Sequence, residues 1–266
     1  KAEMLTRQNF NSEVSYEADG ENPFRFGSFT TMGEFYVETG LNIIGMSDYK
    51  RILSLDSAMA VVQFKKDRVA YQRNYFISYP ANVMVVRFSA DQPGKQNLIF
   101  SYAPNPVSTG SMAADGSSGL VYSASLDNNG MKYVVRIQAE AKGGTLTNAD
   151  GKLTVKGADE VVFYITADTD YKPNFDPDFK DPKAYIGVNP EETTRQWMEN
   201  AVSSGYTALF NQHYADYSAL FDRVKLRLNP TAKMVNLPTS QRLKNYRKGQ
   251  PDYYLEELYY QFGRYL

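Results

Sequence analysis

Val83-Met84-Val85-Val86-Arg87-Phe88 is a nearly continuous run of β-branched and apolar residues. A strand that faced water on one side would alternate, so this run predicts a strand covered on both faces. Turn formers bracket it, with Tyr79-Pro80-Ala81-Asn82 before and Asp91-Gln92-Pro93-Gly94 after. Strand patterns continue outward in both directions. From Gly33, Phe35 and Val37 alternate with Glu34, Tyr36 and Glu38, the period of a half-buried strand. Residues 60–64, 69–79, 97–102, 120–126, 132–139 and 161–166 read the same way, and Asn129-Gly130 signals a hairpin because its turn needs positive φ. Many short strands separated by such turns predict a mainly β fold, a large antiparallel β-sandwich over residues 31–170.

Residues 1–30 are polar with weak periodicity and read as a connecting segment. After Thr169 the character changes. Residues 170–190 form a long loop with four prolines, and helical periodicity follows at 193–202 and 207–223. In the second helix Phe210, Tyr214, Tyr217 and Phe221 share one face. Val224-Lys225-Leu226-Arg227-Leu228 alternates as a short strand before Pro230. Residues 171–250 are therefore expected to be a loop and helical linker with a short strand. Residues 252–266 form a helix whose stripe of Leu255, Leu258, Tyr259, Phe262, Tyr265 and Leu266 runs to the last residue without a stop signal. Such a stripe is expected to pack against a further partner.

Composition narrows the function. With 42% hydrophobic and 22% charged residues the chain is globular rather than disordered. It carries 29 basic and 30 acidic residues, a net charge of −1, without the basic imbalance of a nucleic-acid partner. The one dense basic stretch, Arg242-Leu243-Lys244-Asn245-Tyr246-Arg247-Lys248, reads as a solvated surface segment. No apolar run approaches the roughly 20 residues of a membrane span. No secretory leader is read at Lys1-Ala2-Glu3, and the absence of cysteine excludes disulfides and thiolate metal sites. The 21 tyrosines suit strands and layered packing, and also sugar stacking.

Residue chemistry nominates little. His213, the single histidine, has Tyr217 where a zinc pair would need a ligand, so it reads as a hydrogen-bonded structural residue. No Ser-His-Asp arrangement can be argued from this one histidine, and no G-x-S-x-G elbow or phosphate-binding Gly-rich loop is present. The loop holding Asp168, Asp170, Asp176, Asp178 and Asp181 fits no calcium-loop spacing and reads as a solvated connection, so neither metal nor cofactor is expected. Glycoside hydrolysis needs a pair of carboxyl groups. No pair is nominated by spacing, and Glu256 and Glu257 on the last helix are expected to face solvent.

Five segments, in order, resemble glycoside hydrolase family 95, the family of α-L-fucosidases and related α-L-galactosidases. They are Thr31-Met32-Gly33-Glu34-Phe35-Tyr36-Val37; Tyr49-Lys50-Arg51-Ile52-Leu53-Ser54-Leu55-Asp56-Ser57-Ala58; and Arg73-Asn74-Tyr75-Phe76-Ile77-Ser78-Tyr79-Pro80 running on to Arg87. His213-Tyr214-Ala215-Asp216-Tyr217 with Leu220-Phe221-Asp222-Arg223-Val224 is the fourth. The fifth joins Leu237-Pro238-Thr239-Ser240-Gln241-Arg242-Leu243 to Tyr259-Tyr260-Gln261-Phe262-Gly263-Arg264-Tyr265-Leu266. Ser240 departs from a usual Asp, and Tyr253 from a frequent Pro.

The resemblance implies a supersandwich-like N-terminal domain, joined through helices to an α/α barrel whose first helix is 251–266 and which continues past Leu266. It implies an inverting exo-hydrolase of terminal α-L-fucosyl or α-L-galactosyl residues, bacterial and periplasmic or extracellular. The catalytic acid, base and water-orienting asparagines would lie beyond Leu266, so no catalytic residue is assigned in this chain and its substrate-binding residues stay unknown. The implied partners are the glycan substrate and the chain's own catalytic barrel, with no nucleic acid and no membrane span. A carbohydrate-binding sandwich, stacking sugar on exposed tyrosines or Trp197, and a purely structural domain are the alternatives.

Overall fold

A computed structural model describes residues 30–127, 129–174, 184–229 and 237–266. The expected connecting segment 1–30 lies outside them except for its last residue. Among the described residues twelve strands form two antiparallel sheets. The narrow sheet has the order β1 (Gly33–Glu38), β6 (Gln96–Pro104), β11 (Lys152–Ala158), β10 (Thr145–Ala149). The wide sheet runs β2 (Ser47–Ser54), β3 (Met59–Lys66), β4 (Val69–Ser78), β5 (Val83–Ala90), β12 (Glu160–Thr169), β9 (Lys132–Lys142), β8 (Gly119–Leu126), β7 (Ser108–Ala114). Helices α1 (Pro190–Phe221), α2 (Thr239–Arg247) and α3 (Tyr253–Tyr265) follow.

The central strands explain the architecture. In β12, Val161, Phe163 and Ile165 point to the narrow sheet, where they meet Leu98, Phe100, Leu153 and Val155. Phe163 stacks on Phe100 with centroids 4.8 Å apart. The alternate residues Val162 and Tyr164 point the other way, with Val83 and Val85 of β5, onto Met198, Ala201 and Leu209 of α1. The continuous apolar run at 83–88 thus has a cover on each face, as expected. The mainly β sandwich followed by helices is present.

Helix α1 begins with Pro190 at its first turn and the Asn189 side chain accepting from Glu191 N–H at 3.1 Å. Glu191, in the favourable N-terminal field, pairs with Arg136 on β9 and accepts from Ser123 Oγ at 2.9 Å. Arg136 also bonds Asp115 at 2.7 Å. The two expected helices at 193–202 and 207–223 are this single element, broken at Gly205 (φ 72°, ψ 167°). That conformation is reached almost only by glycine. Of the expected stripe, Phe210 and Tyr217 are half-buried on the inner face. Leu209, His213 and Phe221 are buried and Tyr214 is exposed, because a polar histidine occupies a buried position that apolar periodicity skips.

Four strands were not among the expected ones. Edge strands β2 and β7 bury too little to alternate, and β7 is built of small residues because a Cβ at Gly110 would lie 2.4 Å from that of Ala124. Strands β10 and β11 are joined through Asp150 (φ 52°) and Gly151 (φ 69°), a two-residue turn with both centres left-handed. The Asn129-Gly130 hairpin forms with a longer connection, in which Gly130 N–H reaches Leu126 O at 2.8 Å.

Two readings are corrected. Residues 224–228 form no strand, because side chains of α3 rather than a neighbouring strand take up their backbone groups. The basic stretch 242–248 lies on α2 and its C-cap with Lys244, Arg247 and Lys248 exposed, as a solvated segment would be, but Arg242 is buried.

Since a Cβ at position 205 would touch nothing within 4 Å, its cost is backbone strain alone. Gly205→Ala should destabilise the chain by about 1–3 kcal/mol. Urea denaturation measures this, and an unchanged midpoint would show that the break is not required.

Candidate functional site

Distant motif segments meet where α1 crosses the end of the wide sheet. The turn after β2 carries Ala58 at φ 47° and presents two carbonyls toward the helix. Tyr217 O–H donates to Leu55 O at 2.6 Å, and His213 Nε2 lies 2.9 Å from Ser57 O, which requires the Nε2–H tautomer. The imidazole stacks on Phe76 at 5.1 Å. Burial pushes the Tyr217 hydroxyl up to about 12, so it acts as a donor throughout the physiological range. His213 is thus the hydrogen-bonded structural residue that its sequence context suggested, with its donor engaged by backbone and not open to a substrate.

Helix α3 carries Glu257, Gln261 and Arg264 at i, i+4 and i+7, hence on one face. Together they grip residues 220–228. Glu257 Oε1 accepts from Leu228 N–H at 2.8 Å, and Arg264 Nη1 donates to Val224 O at 2.7 Å and to Gln261 Oε1 at 2.7 Å. The Arg264 guanidinium also lies 4.9 Å over the Phe221 ring. Glu257 is therefore buried, not solvent-facing as expected. A buried carboxylate is tolerated because it accepts this backbone N–H and has Arg227 Nη1 at 3.7 Å.

The same helix is fixed to α2 by a two-pronged ion pair. Arg242 Nε and Nη2 donate to the two Asp252 oxygens at 2.8 and 2.7 Å, with both side chains only 9% exposed. Asp252 also caps α3 by accepting from Leu255 N–H at 3.0 Å. The Arg242 guanidinium, the largest influence, holds the Asp252 carboxyl below the usual carboxylate range. On its other side α3 is bare. Tyr259 is 80% and Leu266 86% exposed, beside exposed Phe262, and Leu220 is exposed on α1. A helix with engaged polar groups on one face and open apolar groups on another is built to be covered.

Chemically, this surface positions and packs. Two cavities between the sheets have no carboxylate in their lining, and among the described residues no three His, Cys, Asp or Glu side chains group as metal ligands. Of the aspartate-rich loop, Asp176, Asp178 and Asp181 lie outside the described residues. Asp170 is buried, accepting from Lys132 N–H at 2.9 Å. Trp197 is half-buried on α1. The grip of Glu257 and Arg264 on backbone was missed from the sequence. Their i, i+7 spacing beside an apolar stripe was its one visible signal.

Residues 1–174 match the family model described as glycosyl hydrolase family 65, N-terminal domain. Residues 205–266, starting at the Gly205 break, match the glycosyl hydrolase family 95 catalytic domain. The chain belongs to glycoside hydrolase family 95, with a family 65-type N-terminal domain. Three relatives are similar along most of it. "Probable alpha-fucosidase A" of Aspergillus niger is 31% identical over 93% of this chain and 31% of its own length. "Alpha-L-fucosidase 2" of Arabidopsis thaliana is 26% identical over 83% of this chain and 28% of its own. "Probable alpha-fucosidase A" of Aspergillus oryzae is 24% identical over 91% and 34%. The chain spans about a third of the length of these relatives.

Because the folded Asp252 carboxyl titrates below its unfolded value, its contribution is fully present above the unfolded pKa, about 3.9. It is lost as pH falls through the folded pKa. The Tm gap between the chain and an Asp252→Asn variant should therefore be widest above about pH 5 and close toward acid. A gap constant in pH would contradict the ion pair.

Proposed function

We propose that the chain is the non-catalytic N-terminal region of an inverting exo-glycoside hydrolase that removes terminal α-L-fucosyl or α-L-galactosyl residues from glycans. The supporting observation is the bare apolar face of α3, with Tyr259 and Phe262 exposed on a helix whose Glu257 and Arg264 are engaged. Its lead-in, the second half of α1, is bonded to the sandwich at Leu55 and Ser57. A sandwich that holds the first catalytic-domain helices in place, and leaves their outer face for the remaining helices, braces an α/α barrel. The relatives named α-fucosidases supply the substrate class.

In this reading the cleft is formed by residues past Leu266. One carboxyl group protonates the leaving oxygen while another activates water on the opposite face, and the two stand roughly 6.5–9.5 Å apart to leave space for that water. The residues of this chain do not touch the reacting bond. They set the position of the helices that do. The enzyme acts outside the cytoplasm of a bacterial cell, where glycan ends are met. Among the described residues no helix is long and apolar enough to cross a membrane.

The test is an assay on a fucosyl-α-1,2-galactoside. Residues 1–266 alone should give no turnover, whereas the protein extended to the length of its relatives should release β-L-fucose first, observed by NMR before mutarotation. Turnover by residues 1–266, or release of the α-anomer first, would overturn the proposal.

A further inference from the structure

The narrow sheet ends at β1 while the wide sheet continues through β4, β3 and β2. Beneath this overhang lies a cavity of about 350 Å³, walled by apolar side chains that include Phe35, Val37, Val86 and Ile165. Its volume falls in the range of small-molecule sites, roughly 300–1,000 Å³. One strand gives it a polar end. Arg73, paired in register with Phe88, extends its guanidinium between the rings of Phe64 and Phe88 at 5.3 and 5.4 Å. Among the described residues the half-buried Arg73 side chain has no hydrogen bond and no carboxylate partner, although it lines the space between the sheets.

A second observation points to an acceptor at the same place. Arg73 and Phe88 also wall a small recess of about 10 Å³, the volume of a single oxygen-sized group. Gln96 lines that recess. It is 3% exposed, and its Nε2 is buried without a hydrogen-bond partner. An orphaned buried donor costs roughly 1–3 kcal/mol, so Gln96 Nε2 calls for an acceptor, and the half-buried Arg73 guanidinium beside it favours a charged one. The recess has room for about one water-sized group, which suits a single oxygen.

We propose that this inter-sheet cavity binds a small amphiphilic carboxylate. The acyl chain lies against Val86 and Ile165, and the carboxylate pairs with Arg73 and places one oxygen within reach of Gln96 Nε2. Neutral alcohols of equal length share the apolar contact but lack the charge-assisted pair. Binding involves no bond making or breaking, and it is independent of the glycosidase reading.

Isothermal titration calorimetry on residues 1–266 with dodecanoate, dodecanol and dodecyl sulfate tests this. Dodecanoate should bind saturably, roughly tenfold tighter than dodecanol, the factor expected from one charge-assisted hydrogen bond, and tighter than dodecyl sulfate. Arg73→Met should abolish the preference for acid over alcohol, and Val86→Phe should abolish binding of both without lowering Tm. Absence of saturable dodecanoate binding, as when another stretch of polypeptide fills the gap, would overturn the proposal. So would equal affinity for acid and alcohol. If Arg73→Met does not fold, the acid–alcohol comparison on the unaltered chain decides by itself.

Discussion

Burial of the central strands on both faces is the constraint from which the rest follows. Five consecutive residues of β12, Val161 through Ile165, are all at most 5% exposed, and their side chains alternate between two opposite layers. Burying a large apolar side chain is worth about 1.5–3 kcal/mol, so neither set could be left to water. One face requires the narrow sheet. The other is covered by α1, which packs on the wide sheet as a third layer. Hydrogen bonds confirm the seating, since Thr166 Oγ1 donates to Thr194 O at 3.1 Å in the buried interface.

That layer connects the sandwich to the helices that follow. The first half of α1 lies on β9 and β12. After the break at Gly205 the second half reaches the turn at Leu55–Ser57. From there the grip of α3 on residues 220–228 passes position along by backbone hydrogen bonds, which tolerate little slippage. The start of the family 95 catalytic-domain match at this break gives the geometry its sense. Sandwich and catalytic region share one helix, and the glycine is where its direction changes.

The fold was legible where one physical signal dominated. The run at 83–88 and the alternation from Gly33 reported burial directly, and each is a strand. Reading failed where burial and polarity part company. His213 and Glu257 are buried but polar, stabilised by single backbone partners distant in sequence, so periodicity placed one outside the apolar stripe and the other in solvent. Residues 224–228 alternate like a strand, yet among the described residues no strand pairs with them. Arg242 looked like surface charge because its partner Asp252 is ten residues away, beyond one helical face. The family motifs were readable as a set, but not the reason for their residues. Tyr217 and Arg264 serve distant carbonyls that only the folded chain brings within reach.

The most direct test of α1 as a layer of the sandwich is native-state hydrogen exchange on residues 1–266. Amides of α1 from Thr194 to Leu209 should exchange with the same opening free energy as those of β9 and β12, reporting one cooperative unit. Exchange of α1 at a distinctly lower free energy, with the strands still protected, would contradict the account and return the helix to the role of a linker.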